Sequence, residues 1–364
     1  MEKIGIIGIG TKIPKKRLSV DNTINIWKNV SPNYVKGQLG VNMRSVLDSD
    51  EDLITLSVEA AKNCLSNANY RAEDIMSIAL GTCTDPDLFN SNATMVMNML
   101  TGKNDFLSYD IKNSEQSGAL ATISAYALVK SNVCNNSLVI GADILGKHTA
   151  PGDIRESYIG SGAAAMFIGK ENVIAEIKDV ATYTSYFPEC GRPEDERFYR
   201  SYTNLGMDVL NEGMVQHCRK CVTILNKKTG MNVNDYDYGV FQQFDNISPT
   251  IIAYSLGMNI LKVRRSLFAK YTGDTGSASP LIGLAKVLEK AKPKEKILLC
   301  SYGHGAGASA IVLEVTERIV DYQANLKSIV QDEMDKEIIV LNYADAMKYE
   351  HKLIQPNVAL STFL

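Results

Sequence analysis

Histidine and tryptophan are scarce in this chain, which holds four of the first and one of the second in 364 residues. Imidazole is the side chain whose ordinary pKa lies closest to neutral pH. Proton transfer here must therefore use His148, His217, His304 or His351, or a carboxyl or thiol moved out of its usual range. Long hydrophobic runs are absent as well. No stretch reaches the roughly 18 apolar residues of a membrane-spanning helix. The opening MEKIGIIGIG is too short and glycine-rich for a secretory leader, so the chain reads as cytoplasmic. Excess charge of either sign is missing: 38 Lys and Arg stand against 41 Asp and Glu, scattered along the chain, for a net charge of -3. Neither nucleic acid nor a membrane surface is an expected partner. The seven cysteines have no framework spacing and read as reduced thiols. Cys218 and Cys221 form one CxxC in a helical pattern, and with no second pair no metal is expected there.

What the chain does have is an order of elements that occurs twice. Apolar periodicity predicts strands over residues 3–8, 75–81, 107–111, 136–142 and 159–169, with helices over 50–67, 91–100 and 119–129. The second half predicts strands over 173–184 and 238–242 and helices over 205–228 and 248–256. Residues 274–315 then repeat the earlier sequence of polar corner, helix, buried strand, glycine turn and strand. The two turns, GSGAAAMFIG and GHGAGASAIVLEV, look like copies. Each precedes a strand, so both are read as close backbone packing and not as dinucleotide sites. Two α/β halves follow, residues 1–170 and 171–317, with a tail over 318–364. That tail mixes Tyr343, Met347 and Tyr349 with charges and reads as a docking strip. The loop over 189–203 yields no reading.

The most informative stretch is LSYDIKNSEQSGALATISAYALVKSN, residues 107–132. A strand breaks at Asn113, Ser114 and Gly118 into a long helix, a geometry that exposes a side chain at the helix N-terminus. Glu115 occupies that place. A carboxylate there gains on the order of 0.3–1 kcal/mol from the helix dipole, which is a sufficient structural account unless chemistry is added.

The duplicated order, with KSN–strand–GAD after the central helix and KPKEKILLCSYGHGAGASA near the end, resembles the thiolase superfamily in its β-ketoacyl-ACP synthase III and HMG-CoA synthase branch. GIIGIGTKIPKKRLSVDNTINIWK, DEDLITLSVEAA and YADAMKYEHKLI look most like archaeal-type HMG-CoA synthases and the related subunit of phloroglucinol C-acetyltransferase (monoacetylphloroglucinol acetyltransferase). The resemblance implies an α/β, five-layered αβαβα fold from two duplicated halves, and a homodimer. It also implies a cysteine five residues after Asp110, where this chain has Glu115. The family's histidine falls on Gln242 of FQQFDN, its asparagine on Asp274 of Gly273-Asp274-Thr275, and its general-base glutamate on Cys83.

With Glu115, Gln242 and Asp274 in the triad positions, the resemblance implies loss of the family's own reaction. A carboxylate is a poor acyl acceptor, because the mixed anhydride it would form is very reactive. Gln242 retains a donor for an oxyanion, and Glu115 facing Asp274 suggests two carboxylates sharing a proton. Cys83 is a candidate nucleophile or a pocket-lining thiol, and His304, the one histidine that the repeat places at a strand end near the site, is a candidate site residue or a turn residue. The first expectation is an HMG-CoA-synthase-like pseudoenzyme subunit within a multienzyme complex, a C-acyltransferase built from several different chains. Its partners would be a thiolase-like chain that carries the catalysis and a small OB-fold, zinc-ribbon-type subunit. It would bind no cofactor of its own, acyl-CoA being a substrate of the complex. The alternative is an active condensing acyltransferase with an unusual site using Glu115 and Cys83. A plain acyl-CoA or polyketide binding protein is a third reading.

Overall fold

The strands lie where apolar alternation places them, and the layers follow from which way each residue points. The computed structural model describes residues 2–202 and 213–353. Nine strands form one sheet in the order Tyr238–Phe241, Lys296–Gly303, Gly307–Val315, Ala175–Tyr183, Gly5–Lys12, Ser161–Gly169, Asn136–Ile144, Ser77–Gly81 and Leu107–Ile111. The two halves join at the N-terminal strand, where Gly5 pairs with both Gly169 and Glu176. A Cβ on Gly5 would lie 2.1 Å from the Ala175 carbonyl oxygen, so the join needs glycine.

Period-two alternation builds three cores. Along Ser161–Gly169, Ala163, Ala165 and Phe167 face an outer core with helix Leu53–Ala68, while Ala164, Met166 and Ile168 face a central one. The central core is filled by the two equivalent helices, Ser117–Lys130 and Ser279–Leu288. On the other side, Ile297 and Leu299 turn to the same central core. Leu298, Cys300 and Tyr302 turn to a third core under helix Gly213–Thr229. Helix, sheet, helix, sheet, helix is the five-layered arrangement expected. Cys218 and Cys221 are buried in that third core, and the Cys221 thiol lies 3.4 Å from the carbonyls of Ala181 and Ala308. The CxxC is packing. The predicted start of this helix, at 205, lies outside the described residues.

The tail is occupied by its own chain. Strand Ile339–Leu341 pairs in parallel with Lys16–Leu18, and helix Tyr343–Tyr349 starts at Asn342, whose side chain accepts from the Asp345 N–H at 2.9 Å. Leu341, Ala346 and Met347 are buried against Leu18 and Val46. Beneath them Arg44 pairs with Glu350, Lys352 with Glu350 at 2.8 Å and Lys352 with Glu156 at 3.3 Å, all four at most 1% exposed at the side chain. Tyr343, read as part of a docking strip, receives the Trp27 indole N–H at 2.7 Å and donates to Glu156. Within this strip Met347 is buried and Tyr343 is bonded inside the chain, while Ile339 and Val340 remain 51% and 56% exposed.

Candidate active site

Strand Leu107–Ile111 runs into a strained elbow. Ser114 sits at φ 54°, the left-handed region that a side chain disfavours, held there by the Ser117 hydroxyl, which accepts from the Asn113 N–H at 2.7 Å and donates to the Ser114 carbonyl at 2.6 Å. Glu115 follows, buried. The end of strand Lys296–Gly303 is pressed against this elbow, since a Cβ on Gly303 would lie 2.9 Å from the Gln116 nitrogen. The next residue, His304, therefore arrives over Glu115.

That contact sets the electrostatics. His304 Nδ1 lies 2.8 Å from Glu115 Oε1, and the His304 backbone N–H donates to Oε2 at 3.1 Å. Ser114 also donates its hydroxyl to Oε2. Phe244 stacks on the imidazole, 4.5 Å between ring centres and 18° from parallel. Burial alone would raise the pKa of Glu115, but the His304 cation and these hydrogen bonds outweigh it and hold the carboxyl at about 2. Burial disfavours the imidazolium, and Glu115, with Cys190 adding to it, more than reverses that and holds His304 well above its ordinary range. The pair is an ion pair at neutral pH.

Asp274 reaches the same cavity from the equivalent corner of the second half. Among the described residues its Oδ1 accepts from the Gly276 N–H alone, at 2.8 Å, and burial and then the Glu115 charge push its pKa well above its ordinary value. The expected shared proton is thereby corrected: Glu115 is paired with His304, and burial favours the neutral form at Asp274. Gln242 is corrected as an oxyanion donor. It is fully buried, its amide donating to the Gly276 carbonyl at 2.8 Å and accepting from Ser301 at 3.0 Å.

Cys83 is corrected as the acyl carrier. Its backbone N–H is tied to Asp143 at 2.9 Å and its thiol lies 3.9 Å from the Tyr199 hydroxyl, with no imidazole beside it. Burial, then the charges of Asp143 and Glu115, push that thiol well above its ordinary pKa. Asp143 accepts from Thr82 and Thr84 and from the Ser277 N–H, so it pins the two halves together at this point. His217 donates to or accepts from Ser185 at 2.6 Å inside an aromatic cluster, and His148 contacts the Arg197 carbonyl.

Glu115, Asp274, His304, Phe244, Cys190 and Tyr199 line one cavity of about 90 Å³, closed further by Arg155, Tyr158 and Leu145. Cys190 and Tyr199 were missed in the sequence. They come from the loop that gave no reading, which folds as a small antiparallel pair, Cys190–Gly191 with Arg200–Ser201. The only signal in the sequence was a cysteine in a segment that lacks any apolar period.

The 3-oxoacyl-[acyl-carrier-protein] synthase III family matches residues 109–185, and its C-terminal family matches residues 226–315. The hydroxymethylglutaryl-CoA synthase of Methanosphaera stadtmanae is 32% identical over 349 residues, 96% of this chain and 99% of that protein. That of Archaeoglobus fulgidus is 33% identical over 350 residues, with the same two shares. A solved HMG-CoA synthase complexed with CoA shares the fold at TM-score 0.84 and 21% identity, covering 97% of this chain and 92% of that one. The 3-oxoacyl-ACP synthase III of Aquifex aeolicus shares it at 0.78 and 23%, over 85% and 99%. These relatives correct the first expectation. Proteins about a third identical from end to end bear the name of a condensing enzyme, which contradicts a subunit without chemistry of its own. The particular likeness to an acetyltransferase subunit is not what these relatives share.

Proposed function

The chain belongs to the hydroxymethylglutaryl-CoA synthase family, and from that premise we propose that it is an active condensing enzyme joining two short acyl-CoA thioesters through a carbon–carbon bond. The observation that carries this reading is the His304–Glu115 pair set beside the buried Asp274 carboxyl, whose neutral form burial favours, and a thiol in one cavity. A condensation of this class needs a thiol to hold the acyl group, a group to move protons and a donor for the oxygen that becomes negative. A neutral carboxyl can be that donor, and an ionised one could not. At about 90 Å³ the cavity is well below the several hundred Å³ of a drug-sized site, which favours acyl groups of two to four carbons over long chains. The hydroxymethylglutaryl skeleton divides into an acetyl and an acetoacetyl unit, so acetyl-CoA and acetoacetyl-CoA are the first pair to supply. No resident cofactor enters the reading; the CoA esters are substrates.

A homodimer accompanies it. Leu107–Ile111 is the outer strand of the sheet, bonded on one side only, and Leu88 and Phe89 nearby are 65% and 96% exposed. An unpaired edge beside exposed apolar side chains favours a second copy across it. The seven unpaired thiols suit a reducing compartment such as the cytoplasm. The test is to give the purified chain both CoA esters and follow free CoA and products by mass spectrometry. Hydroxymethylglutaryl-CoA, or another carbon-linked product of a short acyl pair, is expected. CoA release without any carbon-linked product, or no release at all, removes the reading.

A further inference from the structure

We infer that Cys190 is the acyl-accepting nucleophile of this enzyme, served by His304 as its base and by Glu115 as the group that orients the base. The inference takes its substrate class from the condensing reading, but it stands on geometry of its own. The Cys190 sulfur, a His304 nitrogen and a Glu115 oxygen all lie within 4.8 Å of one another. Nucleophile, base and orienting carboxylate in that order is the general arrangement of an activated thiol. His304 is fixed from two sides, by Glu115 at Nδ1 and by the stacked Phe244 ring, so Nε2 is the nitrogen left to serve the thiol. Glu189 Oε2 also stands 3.7 Å from Nε2 and is itself held by the Tyr302 hydroxyl at 2.6 Å, which favours a proton on the imidazole once it has left the sulfur.

The segment bearing Cys190 is fastened over the cavity. Cys190 pairs with Ser201, the Tyr202 N–H donates to the Glu189 carbonyl at 2.9 Å, and the Tyr199 N–H donates to the His148 carbonyl at 2.9 Å. Glu115 stands where the resemblance implies a cysteine, and it lies within 4.8 Å of the Cys190 sulfur, which a different segment brings to the cavity. The step is a thioester exchange. The proton that His304 carries in its pair with Glu115 is the one taken from Cys190; the thiolate sulfur bonds to the acyl carbonyl carbon, the bond from that carbon to the CoA sulfur breaks, and the CoA sulfur leaves with that proton, given up by His304. Acyl-Cys190 and free CoA result, with nothing oxidised or reduced.

The same three donors are close enough to share a metal ion, and the experiment separates that arrangement. The full-length protein is incubated with acetyl-CoA, quenched in acid and mapped by peptide mass spectrometry, alongside Cys190→Ala, Cys190→Ser and Cys83→Ala; bound metal is measured on each. The expected result is one acetyl group on Cys190 in the wild type and in Cys83→Ala, none in Cys190→Ala, and a fall in condensation rate of about 1,000-fold in both Cys190 variants. Circular dichroism and thermal melts matching the wild type show that the variants are folded; if Cys190→Ala is not, Cys190→Ser carries the test. Acetyl on another residue, a wild type without adduct, or stoichiometric metal lost with Cys190 overturns the inference. Condensation persisting in Cys190→Ala removes the nucleophile and leaves the condensing reading intact. An acetyl-Cys190 without any carbon-linked product keeps the nucleophile and removes that reading.

Discussion

Two glutamates in this molecule are held at the same pKa, about 2, for opposite ends. Glu115 lies in the cavity at the strand–helix elbow, and Glu350 lies under the C-terminal helix. In both, burial raises the pKa and neighbouring cations more than reverse it. Around Glu350 the cations are Lys352 and Arg44, whose guanidinium stays charged, and all three side chains are at most 1% exposed. Around Glu115 the cation is an imidazole, which can give up its proton, and there is a cavity in front of it. A depressed carboxyl therefore marks a well-compensated burial in either place. Only a titratable partner and room for a substrate make it chemistry.

The largest effect should come from the cluster without chemistry. Arg44→Leu leaves Glu350 with half its compensation, a loss of about 3 kcal/mol or more in stability, because an unpaired buried charge is costly. Urea unfolding measures it. Below its own midpoint the folded variant should still condense acyl groups at close to the wild-type rate. A selective loss of turnover in folded protein would mean that the tail and the cavity are one unit.

His304→Asn reverses the proportions. Removing a positioned acid–base group costs on the order of 100- to 1,000-fold in rate. In stability the variant loses the ion pair, on the order of 3 kcal/mol or less, and the loss has a pH signature. Glu115 is depressed from 4.5, so its contribution is present above pH 4.5 and disappears as pH falls toward 2. His304 is raised from 6.5, so its contribution is complete below pH 6.5 and disappears as pH rises through the elevated value. Wild type and variant should differ most between about pH 4.5 and 6.5 and converge in acid. Equal gaps at pH 3 and pH 5.5 would show that the pair does not set the stability.

The sequence made the scaffold legible because the scaffold is periodic. Strand Leu107–Ile111 was bounded without error, helix Asn92–Leu100 to within one residue, and the layered α/β fold that the repeat implied is the one observed. Counting from Asp110 put Glu115 in the site, and the glycine turn put His304 at the end of its strand. What joins them was not legible. The contact spans 189 residues, and nothing in either segment states which rotamer or charge the other brings. Gln242 looked like a free amide until both of its ends were seen to be used by Gly276 and Ser301. Cys190 was hidden because its segment is held by backbone bonds and single contacts, which leave no pattern of apolar residues. In the tail, likewise, nothing local states that Glu350 and Lys352 pair with Arg44 and Glu156, far away in the chain.

The smallest effect belongs to the other carboxyl in the cavity, and it is the most discriminating. Asp274 lines the same cavity from the equivalent corner, yet among the described residues its one hydrogen bond comes from Gly276, and the His304 cation is held by Glu115. Burial and then the Glu115 charge raise the pKa of Asp274, which favours the neutral carboxyl. Asp274→Asn replaces a neutral donor with a neutral donor of nearly the same shape and should change the rate less than about tenfold, whereas Glu115→Gln removes the charge that orients His304 and should cost about 100-fold. Stability should shift in the variant's favour as pH rises. The wild-type native state withholds from Asp274 the ionisation that the unfolded chain gains above pH 3.8, and asparagine has none to withhold. If Asp274→Asn were instead as damaging as Glu115→Gln, the two corners would be carrying equivalent charges, and the neutral carboxyl assigned as the oxyanion donor would have to be an ionised base.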